Sequence, residues 1–112
     1  MQKTLLPFLA LLLTTAQAAT ITVGPEGCNH KSVQAAIDAA SPGDLIEVME
    51  GTYYENVDLN KPLTLQGTDA GEGGVVLNAG GKGPAITISA NGATVAGLVV
   101  TNSSYSGILV HS

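Results

Sequence analysis

From Asp44 onward the chain breaks into short apolar segments set apart by Gly, Asn, Pro and Ser, with no helix-length stretch between them. The segments span 45–49, 57–59, 63–65, 75–77, 86–88, 94–95, 98–100 and 108–110, and their spacing constrains what they can build. Leu63, Ile86 and Ile108 recur at intervals of about 22 residues, and the step from Val75 to Leu98 repeats that interval. Recurrence near one such period marks a repeat architecture, in which each short strand pairs in parallel with its equivalent one repeat away. The class expected is all-β, a right-handed parallel β-helix (a solenoid). An antiparallel sandwich is the rival, because it also has turn signals every ~8–12 residues.

Side chains alternate along a strand, so stacking repeats puts inward residues in columns. One column is expected to align Ile46/Val48, Leu63/Leu65, Ile86/Ile88 and Ile108/Val110, leaving Glu47, Thr64, Thr87 and Leu109 outward. A second aligns Val57/Leu59, Val75/Leu77 and Leu98/Val100, leaving Asp58, Val76 and Val99 outward. Asn78 and Asn102 stand close to one repeat apart, which predicts stacked amides at a turn that admits left-handed backbone.

Ahead of the repeats, Thr20 to Val23 is β-rich and Gly24-Pro25-Glu26-Gly27 is a turn. Val33, Ala36, Ile37 and Ala40 then fall at i, i+3, i+4 and i+7, one apolar stripe along about two turns of helix. Ser32 is the expected N-cap, and Ser41-Pro42-Gly43 ends the helix. So short a helix must lie against something else to be stable.

Before that comes a basic start with Lys3, an apolar run from Leu5 to Leu13 broken by Pro7, and small residues up to Ala19, the layout of a secretory signal peptide. Ala16-Gln17-Ala18 supplies small side chains at the two positions a signal peptidase reads, placing cleavage after Ala18. The apolar run is too short to span a bilayer, which takes ~20 residues. The expected organisation is therefore a signal peptide over 1–18, an N-terminal cap over 19–43 and β-helix rungs over 44–112. Secretion, a cell surface or the periplasm is the expected location.

Losing Lys3 takes the net charge from −5 to −6, with Lys31, Lys61 and Lys82 as the remaining strong cations and no arginine. Nucleic acid is a poor partner for such a chain, since polyphosphate binding requires clustered Lys or Arg. Cys28 is the one cysteine, so no intramolecular disulfide can form.

The run TITVGPEGCNHKSVQAAIDAASPGDLIEVMEGTYYENVDLNKPLTLQG resembles the N-terminal cap and first rung of right-handed parallel β-helix proteins of the pectin-lyase-like superfamily, including the NosD-type copper-binding proteins and many surface proteins. SVQAAIDAA, PGDLIEV, GTYYENV and KPLTLQG match in order and spacing. The resemblance implies a helix lying across the open end of the coil. It implies a secreted module with a structural, adhesive or carbohydrate-binding role. Two alternatives are the N-terminal part of a polysaccharide lyase or hydrolase whose catalytic rungs lie elsewhere, and a periplasmic copper-binding protein.

Glycosidic and ester chemistry needs charged groups on both sides of the scissile bond. The outward columns place no two ionisable residues on adjacent rungs, so no catalytic residue is expected in this chain. Tyr53, Tyr54 and Glu55 are the candidate ligand-binding residues. The two rings could stack on a sugar, although at least one is expected to close the first rung as core. Glu55 could be an acid of raised pKa, or a carboxylate that accepts from turn amides or pairs with Lys61. Cys28 and His30 form a C-x-H pair of copper-compatible type, yet the further candidates Met49 and His111 are expected more than a rung apart, so no metal or other cofactor is assigned and Cys28 is read as a buried thiol beneath the helix. Asn102-Ser103-Ser104 is a glycosylation sequon. At the last segment, an unpaired strand edge is expected to make the chain a fragment of a longer β-helix or to drive self-association.

Overall fold

The computed structural model of the chain describes residues 17–68 and 74–111. The expected leader therefore falls almost wholly outside the described residues, which begin at its last two positions. Along the chain come β1 (Thr20–Val23), α1 (Val33–Ala39), β2 (Leu45–Val48), β3 (Gly51–Tyr54), β4 (Val57–Leu59), β5 (Thr64–Gly67), β6 (Val75–Asn78), β7 (Ile86–Ile88), β8 (Thr94–Ala96), β9 (Leu98–Thr101) and β10 (Ile108–Val110).

Strands dominate, and every named pairing among the described residues is parallel. Parallel neighbours cannot be joined by a tight hairpin, so the antiparallel sandwich is excluded. The strands form three sheets ordered β1-β2-β5-β8, β3-β6-β9 and β4-β7-β10. From β2 onward the chain visits them in fixed rotation, first, second, third, and then the first again.

That rotation corrects the expected columns. Ile46 lies beside Leu65 and Val48 beside Gly67. Ile86/Ile88 and Ile108/Val110 stack on Val57/Leu59, not on Leu63/Leu65. Val75/Leu77 does pair with Leu98/Val100, but its other neighbour is Gly51/Tyr53. The merged columns have one cause: β3, whose Gly-Thr-Tyr-Tyr lacks an aliphatic alternation, carries no strand signal, so two expected columns stand where the structure has three. The two-residue slip at β5 has another, since its inward pair is Leu65 and Gly67, and a residue without a side chain gives no apolar signal.

The core between the sheets is aliphatic: Val23, Ile46, Val48, Val57, Leu59, Leu63, Leu65, Val75, Leu77 and Ile86 are buried. Val33, Ala36, Ile37 and Ala40 of the helix segment add the predicted stripe. Burial fades along the chain. Ile108 and Val110 hold the same parity as Val57 and Leu59, yet they are 42% and 67% exposed: both pairs lie on outer strands of one sheet, and the helix packs against β4.

Candidate functional site

Helix α1 has seven residues, too few to be stable alone. Its orphan backbone groups are met by side chains at both ends. Ser32, the predicted N-cap, accepts from the Ala35 N–H at 3.0 Å. Glu55 accepts from the Val33 N–H at 2.8 Å and the Gln34 N–H at 3.0 Å, one through each carboxylate oxygen. The first intrahelical bond, Ala36 N–H to the Ser32 carbonyl at 3.3 Å, completes the first turn.

The far end is held by Lys61. Its Nζ donates to the carbonyls of Ile37, Asp38 and Ala40 at 2.9, 3.0 and 2.8 Å, using all three ammonium protons. An anion at the helix start and a cation at its end also match the helix dipole. Glu55 and Lys61 flank β4, so one short strand segment grips the helix at both ends.

Between them Gln34 completes the seal. Its Oε1 accepts from the Asp58 N–H at 2.7 Å and its Nε2 donates to the Asp58 carbonyl at 3.2 Å. β4 is an outer strand of its sheet, and Asp58 is its middle residue. The Gln34 amide takes the place of a neighbouring strand there and removes the open edge that would otherwise template pairing. β1, the outer strand of the first sheet, is covered in a related way: Thr22 N–H donates to Asn29 Oδ1 at 2.9 Å, and His30 N–H to the Thr22 carbonyl at 3.0 Å.

The candidate ligand residues thus part company. Glu55 is occupied by helix amides, not by Lys61. Tyr53 is half-buried against the core, and its hydroxyl donates to the Met49 carbonyl at 2.8 Å. Burial raises the Tyr53 phenol above its ordinary pKa, and the Cys28 and Glu55 charges add to that. Tyr54 is 74% exposed on the outer face, with Asn78 and then Thr101 beside it on successive strands. Asn102 follows at φ 58°, and its Nδ2 donates to Asn78 Oδ1 at 3.2 Å, the stacked amide pair read from the sequence. Asn102 itself is exposed.

Outward register positions elsewhere run Glu47 to Gln66, Asp58 to Thr87 to Leu109, and Thr52 to Val76 to Val99. Cys28 is half-buried, where a fully buried thiol was expected. Met49 lies near it: a Cβ built on Gly24 would lie 3.0 Å from both Cys28 Sγ and the Met49 side chain. Among the described residues no three His, Cys, Asp or Glu side chains are grouped to hold a metal ion, and no helix is long and apolar enough to cross a membrane.

Gln34 and Asp44 are the side chains sequence reasoning passed over. Asp44 is buried at 6% exposure, and it accepts from Ala19 N at 2.9 Å and from Ser41 N–H at 2.8 Å. These two bonds, Ala19 first, hold its carboxyl below the ordinary value of 3.8, helped by the Lys61 charge and opposed by desolvation. A depressed folded-state pKa contributes stability that is present above the unfolded value and lost as pH falls through the folded one. The melting temperature of the native chain is therefore expected to drop below about pH 4 more steeply than that of Asp44→Asn. Parallel acid profiles for the two proteins would contradict this assignment.

Comparison with family models, with curated proteins and with solved structures returns no match for this chain.

Proposed function

We propose that this chain is the N-terminal end of a right-handed parallel β-helix belonging to a secreted or cell-surface protein. Its role on this reading is structural or adhesive, with carbohydrate contact at Tyr54. The observation that carries it is the rotation of the chain through three parallel sheets, with α1 clamped over one outer strand and Tyr54 left free on the outside. An exposed phenol ring beside amide and hydroxyl side chains suits a pyranose, whose C–H face stacks on the ring while its hydroxyls exchange hydrogen bonds with Asn and Thr. Tyr53 and Glu55 are engaged by intramolecular partners, so the reading rests on Tyr54.

Retention of the protein on a panel of immobilised neutral and uronate polysaccharides tests the reading. At least one polymer is expected to retain it, with binding weakened roughly tenfold by Tyr54→Ala, the loss of a stacking contact worth about 1.4 kcal/mol. Neither new reducing ends nor unsaturated ends are expected. Failure to bind any polymer, or binding indifferent to Tyr54, would remove the carbohydrate role. Turnover would favour the enzyme alternative.

A further inference from the structure

The residue expected to begin the mature protein is already bonded to a buried carboxylate. Ala19 N lies 2.9 Å from Asp44 Oδ1. The backbone there is fixed on its other side, since the Ala19 carbonyl accepts from the Leu45 N–H at 2.9 Å. The second Asp44 oxygen is anchored by Ser41 N–H at 2.8 Å, so the carboxylate cannot turn away. Gln17 and Ala18 lie exposed immediately before it, leaving the Ala18–Ala19 bond at the surface.

We propose that cleavage after Ala18 creates an α-ammonium group at Ala19 that Asp44 holds as a partly buried ion pair, so that removal of the leader strengthens the fold. The inference rests on the secreted reading and on the A-x-A cleavage site. Hydrolysis adds one water across the Ala18–Ala19 amide. Ala18 leaves as a carboxylate, and the released amine of Ala19 takes up a proton. A neutral N–H donor thereby becomes a cationic one against an ionised acceptor, and charge-assisted bonds of this kind are about twice as strong as neutral ones. The carboxylate is shielded from solvent, so salt screens the pair less than it screens a surface pair. Lys61 is the other charged group acting on Asp44, and as a cation it opposes protonation of the new amine. Lys61 Nζ is itself turned onto the three helix carbonyls, leaving Asp44 Oδ1 to Ala19.

The sign of the pH effect follows. Pairing raises the α-ammonium pKa above its ordinary ~7.7–8.0, so the added stability is fully present below that range and lost as pH rises through the folded value. The test expresses the full 112-residue chain behind its own leader in a secreting host. The exported protein is sequenced from its N-terminus, and the Ala19 amine is titrated by NMR in the native chain and in Asp44→Asn. A start at Ala19, an amine pKa raised by about one unit in the native chain, and a return to the ordinary value in Asp44→Asn are expected. The native melting temperature should also fall by about 4–8 °C between pH 7 and pH 10. A start at Ala19 with an ordinary amine pKa overturns the ion pair and leaves the cleavage site standing. A different start, or no export, overturns the cleavage reading and with it the pair. If Asp44→Asn does not fold, the native titration alone decides.

Discussion

Gly67→Ala is expected to lower the melting temperature by more than about 10 °C, through a cost of about 3 kcal/mol in a domain of this size. Gly67 occupies an inward position at the end of β5, beside buried Val48. A Cβ there would fall on the backbone carbonyl oxygen of Gly97, the residue between β8 and β9. The approach is mutual, because a Cβ on Gly97 would come to 2.8 Å from the Gly67 carbonyl oxygen. Gly97 also sits at φ 72°, where a side chain is strained whatever the space. Two backbones pass in contact, and a carbonyl cannot swing aside as a methyl can. Gly107→Ala is the control: the new Cβ would meet a Val100 methyl at 3.0 Å, and that side chain can give. Thermal melts of the two variants side by side should separate widely, and equal melts would mean that the close approach is not a constraint.

Glu55→Ala is expected to cost about 2–3 kcal/mol, the range for losing charge-assisted bonds to two backbone amides. The Val33 and Gln34 N–H groups would be left to water, and the seven-residue helix would fray from its start. Glu55→Gln keeps one acceptor oxygen, and a smaller loss is expected. Hydrogen exchange locates the effect: the Val33 and Gln34 amides should lose protection first, with Asp58 following as the Gln34 amide comes away from β4. The same variant separates a tether from a ligand contact. Unchanged exchange with weakened polysaccharide retention would return Glu55 to the ligand-binding group.

Legibility of this fold tracks the chemistry of each segment. Where aliphatic residues alternate with polar ones, as at β4 and β7, strand bounds are readable to the residue, since the alternation itself records two faces. Helix α1 is equally plain from its stripe and its Ser32 cap. β3 is hidden because its inward positions are Gly51 and Tyr53, a residue without a side chain and one that carries a hydroxyl. Sheet order suffers more than strand position, because the step between in-register neighbours is not constant. Ile46 pairs with Leu65, a short step, and Leu65 with Val95, a step half as long again, so no single period describes them. At the candidate site, sequence nominates Tyr53, Tyr54 and Glu55 but cannot divide their roles. The division depends on which carbonyl or amide comes within hydrogen-bonding distance of each, and that is set by β4 lying beside a helix made earlier in the chain and by Tyr53 folding back on Met49. Asp44 gives no signal, nor does the contact of Gln34 with Asp58, because the partners there are backbone groups, which leave no trace in residue type.

The clamp on α1 also has a meaning in the order of synthesis. Everything it needs, Ser32, Gln34, Glu55, Asp58 and Lys61, has been made once Lys61 is joined. Each later strand then finds its partner among residues already present, never further back in the named pairings than Leu65 lies from Val95. Closing that longest loop instead of the short one between Ile46 and Leu65 costs only about 0.4 kcal/mol more. A ribosome emits the chain in the same direction in which the sheets grow, so from β5 onward every new strand meets a partner already made, while β3 and β4 wait only for β6 and β7.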